Sequence, residues 1–288
     1  CAELYAPLVY AAPMKLNRVL VVYKKRVGPK AGPGQSRRKR PGGWQARHDA
    51  ARRQVELALS SMGIACRTVE RGKLRPGQRA DLIVTLGGDG TVLAAAHSAG
   101  RVPILGVNTM PGRSVGFFCL ATADSALGVL EKIASGKIKP LPLPLIEARI
   151  DGKPVRVPAL NDVLFAGVSA AEMMRYEIAV DGKKEKQRSS GIWISAGPGS
   201  TAAMQAAGGR RQRVDSPRIQ FLVREPHALP GRRYSLLKGL LPKGGSVTVT
   251  PRMGDAAIYI DGPGNAFHVP PGAKITCRVS RKRLRIFL

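Results

Sequence analysis

The hexapeptide Leu86-Gly87-Gly88-Asp89-Gly90-Thr91 carries the strongest chemical signal in the chain. It follows an apolar run, Asp81 to Leu86, that reads as a buried strand, and precedes Thr91 to Ala99, which reads as a helix closed by Gly100. Open α/β sheets place their ligands at such strand-to-helix junctions. Glycines let the backbone approach a phosphate closely, and the free N–H groups of a helix start suit an anion. Gly87, Gly88, Gly90 and Thr91 therefore make a candidate phosphate loop. Asp89 would repel a phosphate unless it holds a metal ion or takes a proton from a hydroxyl about to attack phosphorus; the remaining reading is a solvated turn residue. No G-x-x-x-x-G-K-[ST] run occurs, so this is not a Walker A loop.

Asn161-Asp162 is a second candidate. An amide offers a donor and an acceptor to a base edge, and a carboxylate accepts from sugar hydroxyls; a plain Asn-Asp turn would use the same residues. Phe117 either stacks on a ring or fills the core. Ser200, just before Thr201 and Ala202, reads as the cap of a short helix.

The elements around these residues fall into two sets. Arg18 to Lys25 is a β-branched run bounded by charge, and further strands are expected at Ile64 to Val69, Asp81 to Leu86 and Pro103 to Val107. Helical spacing over His48 to Met62, Thr91 to Ala99 and Ala123 to Ala134 alternates with them, which predicts a parallel sheet with helices on its faces. After Pro140 the pattern becomes short strands: Leu145 to Ile150, Val163 to Phe165, Tyr176 to Val180, Ile192 to Ser195, Ile219 to Val223, Val247 to Thr250 and Ile258 to Ile260. Asp151-Gly152 and Asp181-Gly182 read as hairpin turns, and Ser200 to Ala207 as the helix that interrupts the strands. The expected organisation is an extension over 1–13, an α/β domain over 14–139 and a mostly β domain over 140–288, whose last strand is free to return to the first domain.

A formal charge of +28 creates a field that attracts phosphates, nucleic acid or an acidic surface without choosing among them. Aromatics make up 5% of the chain and no recognition motif appears, so nucleic acid is not expected as the main partner. The run from Lys24 to Gly43 holds eight basic residues and no acid, and reads as a mobile, phosphate-attracting flap. No apolar run approaches a membrane span. Cys1, Cys66, Cys119 and Cys277 are far apart, and the histidines show no ligand spacing. No structural metal or disulfide framework is expected, and reduced thiols point to the cytoplasm.

GGDGT after a strand resembles the nucleotide-transfer loop of NAD kinases and of diacylglycerol and sphingosine kinases. Four further segments favour the first. Ile104 to Cys119 (ILGVNTMPGRSVGFFC) resembles the stretch beside the dinucleotide, in the N-T-x-P-x-R-S-x-G form of the branch with animal mitochondrial NAD kinase and plant NADH kinase. Ala159 to Val163 is similar to the family's A-L-N-E motif, Gln187 to Ala202 (QRSSGIWISAGPGSTA) to its D-G-L-x-x-S-T-P-T-G-S-T-A-Y stretch, and Ile260-Asp261-Gly262 to its late D-G.

The resemblance implies a kinase moving a phosphoryl group from ATP or polyphosphate, with Mg2+, to the 2′-hydroxyl of the adenosine ribose of NAD. It assigns Asp89 as general base, Asn161 to the adenine, and Asp162, in place of the usual Glu, to the ribose. Gly90, Phe117, Ser190, Thr201 and Ala202 join the dinucleotide site, which the family forms between the domains of a homo-oligomer. Three departures stand out: Ser190 for Asp, Ala196-Gly197-Pro198 for Thr-Pro-Thr, and Ala203 for Tyr. The rival readings are an NADH-preferring kinase, a diacylglycerol-type lipid kinase, and a non-catalytic binder of NAD or nucleic acid.

Overall fold

The computed structural model describes residues 13–24, 43–169 and 171–288; the N-terminal extension and the heart of the basic flap lie outside the described residues. Two compact units divide the chain, one running to Leu141 with the addition of Leu284–Leu288, the other covering Pro142–Arg283.

The first unit contains β1 (Arg18–Tyr23), α1 (Gly43–Ser61), β2 (Ala65–Glu70), β3 (Leu82–Gly87), α2 (Asp89–Ala99), β4 (Ile104–Asn108), β5 (Ala121–Thr122) and α3 (Ala126–Ala134). Its strands run parallel in the order β2-β1-β3-β4. The central strands read LIVTLG and ILGVN and are buried along almost their whole length, as strands covered on both faces must be. The edge strand β2 (ACRTVE) has no buried residue. Val55 and Leu59 of α1 and Leu130 and Ile133 of α3 close the core, each fully buried and each contributing about 1.5–3 kcal/mol.

The second unit contains β6 (Leu141–Ile150), β7 (Lys153–Pro154), β8 (Asp162–Gly167), β9 (Met174–Val180), β10 (Lys183–Ser189), β11 (Gly191–Ser195), α4 (Ala203–Ala206), β12 (Gln220–Arg224), β13 (Lys238–Leu240), β14 (Ser246–Met253), β15 (Ala256–Ile260), β16 (Ala266–Val269) and β17 (Ile275–Phe287). One antiparallel sheet runs β13-β12-β11-β8-β15-β16; in the other β10, β9, β14 and β17 are neighbours. Inward residues of both sheets form one core, in which Phe165 of β8 meets Tyr176 of β9 edge-on at 5.3 Å. Asp151-Gly152 and Asp181-Gly182 take left-handed φ at both positions, the geometry of two-residue hairpins. The end of β17 pairs in parallel with β4, Ile286 opposite Ile104.

Among the described residues, β10, β16 and β17 are strands that the apolar pattern does not mark. β10 (KKEKQRS) carries almost no apolar side chain and owes its existence to the ladder with β9. β16 (AFHV) buries only Val269, and β17 alternates buried apolar residues with arginines and lysines.

Candidate active site and dinucleotide-type turn

Gly87 ends β3 at φ 150°, a conformation open essentially to glycine alone, and a Cβ there would collide with the Thr91 hydroxyl. Gly88 follows as the extended N-cap of α2. The helix starts at Asp89, two residues before the apolar pattern indicates, so the acid occupies the first turn, where the helix dipole favours negative charge. Asp89 Oδ1 accepts the backbone N–H of Phe118 at 2.8 Å, which fixes the half-buried carboxylate on the loop. Phe118 is buried and Phe117 half-buried, the rings edge-on at 5.1 Å. Burial, and secondarily the charge of Asp89, pushes the Cys119 thiol up to about 12, so it is no nucleophile at neutral pH.

The N-T-x-P-x-R-S-x-G segment has a local structural logic. Asn108, at the end of β4, accepts the Met110 N–H through Oδ1 (3.0 Å) and donates Nδ2 to the Ser114 carbonyl (3.2 Å), stitching the turn that displays Arg113. Gly116 must lack a Cβ because the Asn108 amide fills that space. Lys24, His48, Thr109 and Arg113 join Gly87 and Gly88 around a cavity of about 180 Å³. The buried His48 ring contacts the Thr109 hydroxyl at 3.0 Å. Burial lowers its pKa, which keeps the imidazole neutral at neutral pH and leaves Lys24 and Arg113 as the cations of the cavity. His48 escapes sequence reasoning, since no motif marks it; Lys24 is marked only as the first residue of the basic run, and Thr109 and Arg113 only by the segment they sit in.

In the second unit, Asn161 and Asp162 lie in the turn entering β8. Asp261, in left-handed backbone at φ 51°, accepts the N–H groups of Leu160 (2.9 Å), Asn161 (2.8 Å) and Asp162 (3.1 Å), and returns its own N–H to the Asp162 carbonyl (3.1 Å). Gly199 lies so close that a Cβ would overlap the Asn161 backbone, with Asn161 Cα only 2.7 Å away. The Asp261-Gly262 pair and Gly199 thus acquire physical reasons: Asp261 holds the Asn161 turn, and Gly199 admits it. Asn161 Oδ1 is buried with no hydrogen-bond partner among the described residues, an acceptor left for a ligand. Asp162 is 7% exposed, and burial with the neighbouring Asp261 charge pushes its carboxyl up to about 7.

Ser200 does not cap a helix. It sits in a 3-10 turn, Pro198–Thr201, where its hydroxyl donates to the Gly197 carbonyl (2.7 Å) and accepts the Gln212 N–H (3.0 Å); α4 begins after Ala202. Thr201 and Ala202 come two and three residues after Gly199 and belong to the segment that lies beside the Asn161 turn. Ser190 does not. Asp162 pairs with Ser195, at the far end of β11, which places Ser190 about 16 Å along the strand at ~3.3 Å per residue.

The family model described as ATP-NAD kinase N-terminal domain matches residues 32–138. The NADH kinase of Arabidopsis thaliana is 32% identical over 265 residues, 84% of this chain and 83% of the relative. The chain belongs to the NAD kinase family. A probable NADH kinase of Oryza sativa subsp. japonica is 31% identical over 68% of the chain and 67% of its own length, and an NAD kinase of Cupriavidus pinatubonensis 31% over 81% and 75%. An NAD kinase from Archaeoglobus fulgidus, solved with ATP, shares the fold at TM-score 0.72 and 22% identity, covering 94% of this chain and 93% of that one. Among the described residues no group of three or more His, Cys, Asp or Glu is placed to hold a metal ion, and no helix is long and apolar enough to cross a membrane.

Proposed function

We propose that this NAD kinase family member transfers the terminal phosphoryl group of ATP to the 2′-hydroxyl of the adenosine ribose of NAD. The observation that carries this reading is Asp89, a carboxylate tied by the Phe118 N–H onto a glycine loop that lines a cavity with Lys24 and Arg113. As the base, Asp89 accepts the hydroxyl proton while the ribose oxygen bonds to the γ-phosphorus, and the β–γ bridging oxygen leaves with ADP. Lys24, Arg113 and the loop N–H groups balance the phosphate charge. Asn161 Oδ1, buried and without a hydrogen-bond partner among the described residues, accepts from the adenine amino group, and ionised Asp162 accepts from the ribose hydroxyls.

Magnesium accompanying ATP would be held by its phosphates, with Asp89 the carboxylate this loop offers, and would neutralise charge there. Polyphosphate as an alternative donor, Phe117, Ser190, Thr201 and Ala202 as further dinucleotide contacts and homo-oligomeric assembly belong to the same proposal by family likeness, and a cytoplasmic location by the reduced thiols that the cysteine spacing suggests. A preference for NADH is the second reading, favoured by the plant relatives named as NADH kinases.

Incubation of the purified chain with ATP, magnesium and NAD, NADH or diacylglycerol, with products read by mass spectrometry, tests these readings together. An 80-dalton gain on NAD or NADH (one HPO3, roughly 80 Da by composition) supports kinase action, and its absence from both overturns it.

A further inference from the structure

Strands β2, β1 and β3 run parallel with Glu70, Tyr23 and Leu86 in register, so the residues that follow, Arg71, Lys24 and Gly87, come at one carboxyl edge of the sheet. Open α/β sheets bind their ligands at that edge. Lys24 and Gly87 line the cavity beside the Asp89 loop; Arg71 does not, and no sequence motif marks it. Arg71 opens a 3-10 turn, Arg71–Lys73, closed by the Leu74 N–H on the Arg71 carbonyl (3.4 Å). The buried Leu74 roots this turn, which packs against α2.

The half-buried Arg71 reaches the glycine loop, where its Nη1 donates to the Gly90 carbonyl at 3.3 Å. Gly90 directly follows Asp89 in the first turn of α2, so a cation is held one residue from the carboxylate proposed as the base. Among the described residues Arg71 has no acidic partner, and its Nε and Nη2 bond to no protein acceptor. A backbone carbonyl fixes a guanidinium without cancelling its charge, whereas a carboxylate would do both. The remaining donors form a planar fork of the shape that meets two phosphate oxygens at once.

We infer that Arg71 binds the phosphoryl group being transferred, from the Gly90 end of the loop, as Lys24 and Arg113 do beside Gly87 and Gly88. The inference rests on the reading of the Asp89 loop as the transfer site. As the ribose oxygen bonds to the γ-phosphorus and its proton passes to Asp89, the bond to the β–γ bridging oxygen breaks and that oxygen leaves with ADP. Negative charge develops on the γ-oxygens and the leaving oxygen. A guanidinium already fixed by Gly90 meets this charge without reorganising.

The test is steady-state kinetics with ATP, magnesium and NAD, together with ATP calorimetry, on the full chain and three variants. Arg71→Gln keeps an N–H donor for the Gly90 carbonyl but removes the charge; Arg71→Lys keeps the charge but loses the fork. Arg71→Gln is expected to lower kcat at least about 100-fold and to weaken ATP binding about 10-fold, with the KM for NAD unchanged. Arg71→Lys should fall between it and the wild type. Arg75→Gln, at an exposed cation just past the turn, should match the wild type, which separates a specific contact from the general positive field. If Arg71→Gln fails to fold by circular dichroism, Arg71→Lys carries the test, with an expected loss in kcat of at least about 10-fold.

Wild-type kcat and ATP affinity in Arg71→Gln would show that Arg71 merely holds the loop, and would overturn the inference. So would an equal loss in Arg75→Gln, or a loss confined to the KM for NAD. A wild type that makes no product from NAD or NADH, yet binds ATP more tightly than Arg71→Gln does, would refute the proposed acceptor and leave Arg71 as a phosphate ligand. A wild type that neither turns over nor binds ATP would overturn both.

Discussion

The Asp89 loop and the Asn161 turn solve the same problem, holding a polar group in a defined place, by opposite means. Around Asp89 the solution is mostly local: two glycines, a helix start and an N–H from Phe118, 29 residues on. Around Asn161 it is remote, since Asp261, about a hundred residues later, takes three consecutive backbone N–H groups, and Gly199 from a third segment packs against the same backbone. A local device survives as a readable motif. A remote one leaves isolated letters whose meaning is the contact between them.

The comparison is most sharply tested at Asp89. Asp89→Asn keeps the shape and removes the proton acceptor, and is expected to lower kcat by at least about 100-fold with dinucleotide affinity little changed. Wild-type turnover by that variant would strip the loop of its central role, whereas partial rescue by high magnesium would make Asp89 a metal holder. Next in size comes the remote clamp: Asp261→Ala leaves three backbone donors without their acceptor and should destabilise the second unit by about 2–4 kcal/mol. Chemical denaturation measures this; a midpoint unchanged within error would show that the turn is held by something else.

Asp162 separates the two regions by pH. Its folded pKa of about 7 lies above its unfolded value of 3.8, so between these values the folded state binds more protons and stability falls as pH rises. The full contribution is present below about pH 4 and is lost by about pH 7. Asp162→Asn should abolish this slope, worth about 3 kcal/mol between pH 5 and pH 8 at 1.36 kcal/mol per unit, as read by denaturation at those two pH values. Parallel slopes in wild type and variant would remove Asp162 as the titrating group. If the ionised form receives the ribose, wild-type dinucleotide affinity should also improve as pH rises through 7. The smallest effect is expected at Asn161→Ala, a loss of about 10-fold in dinucleotide affinity with kcat little changed, because a base-edge contact is made equally in ground and transition states. A normal KM beside a collapsed kcat would contradict this.

Strands with apolar runs, the helices between them and the Asp-Gly hairpins were legible because periodicity and turn chemistry are properties of neighbouring residues. β10 was not, since KKEKQRS gains its strand character from pairing with β9. Ser200 was misread as a cap because a serine before a short helical stretch has the same letters whether it bonds the helix start or, as here, Gly197 and Gln212.

The sequence by itself determined the α/β and β-rich halves, the glycine loop with its acid, and a likeness to NAD kinases strong enough to name candidate residues in order. Only the tertiary structure decided that α2 begins at Asp89, that Lys24, His48 and Arg113 share a cavity with the loop, and that Asp261 and Gly199 frame Asn161. Each of these depends on which distant segments the packed core and strand register bring together, and burial, which raises Asp162 and lowers His48, exists only once that packing has excluded water.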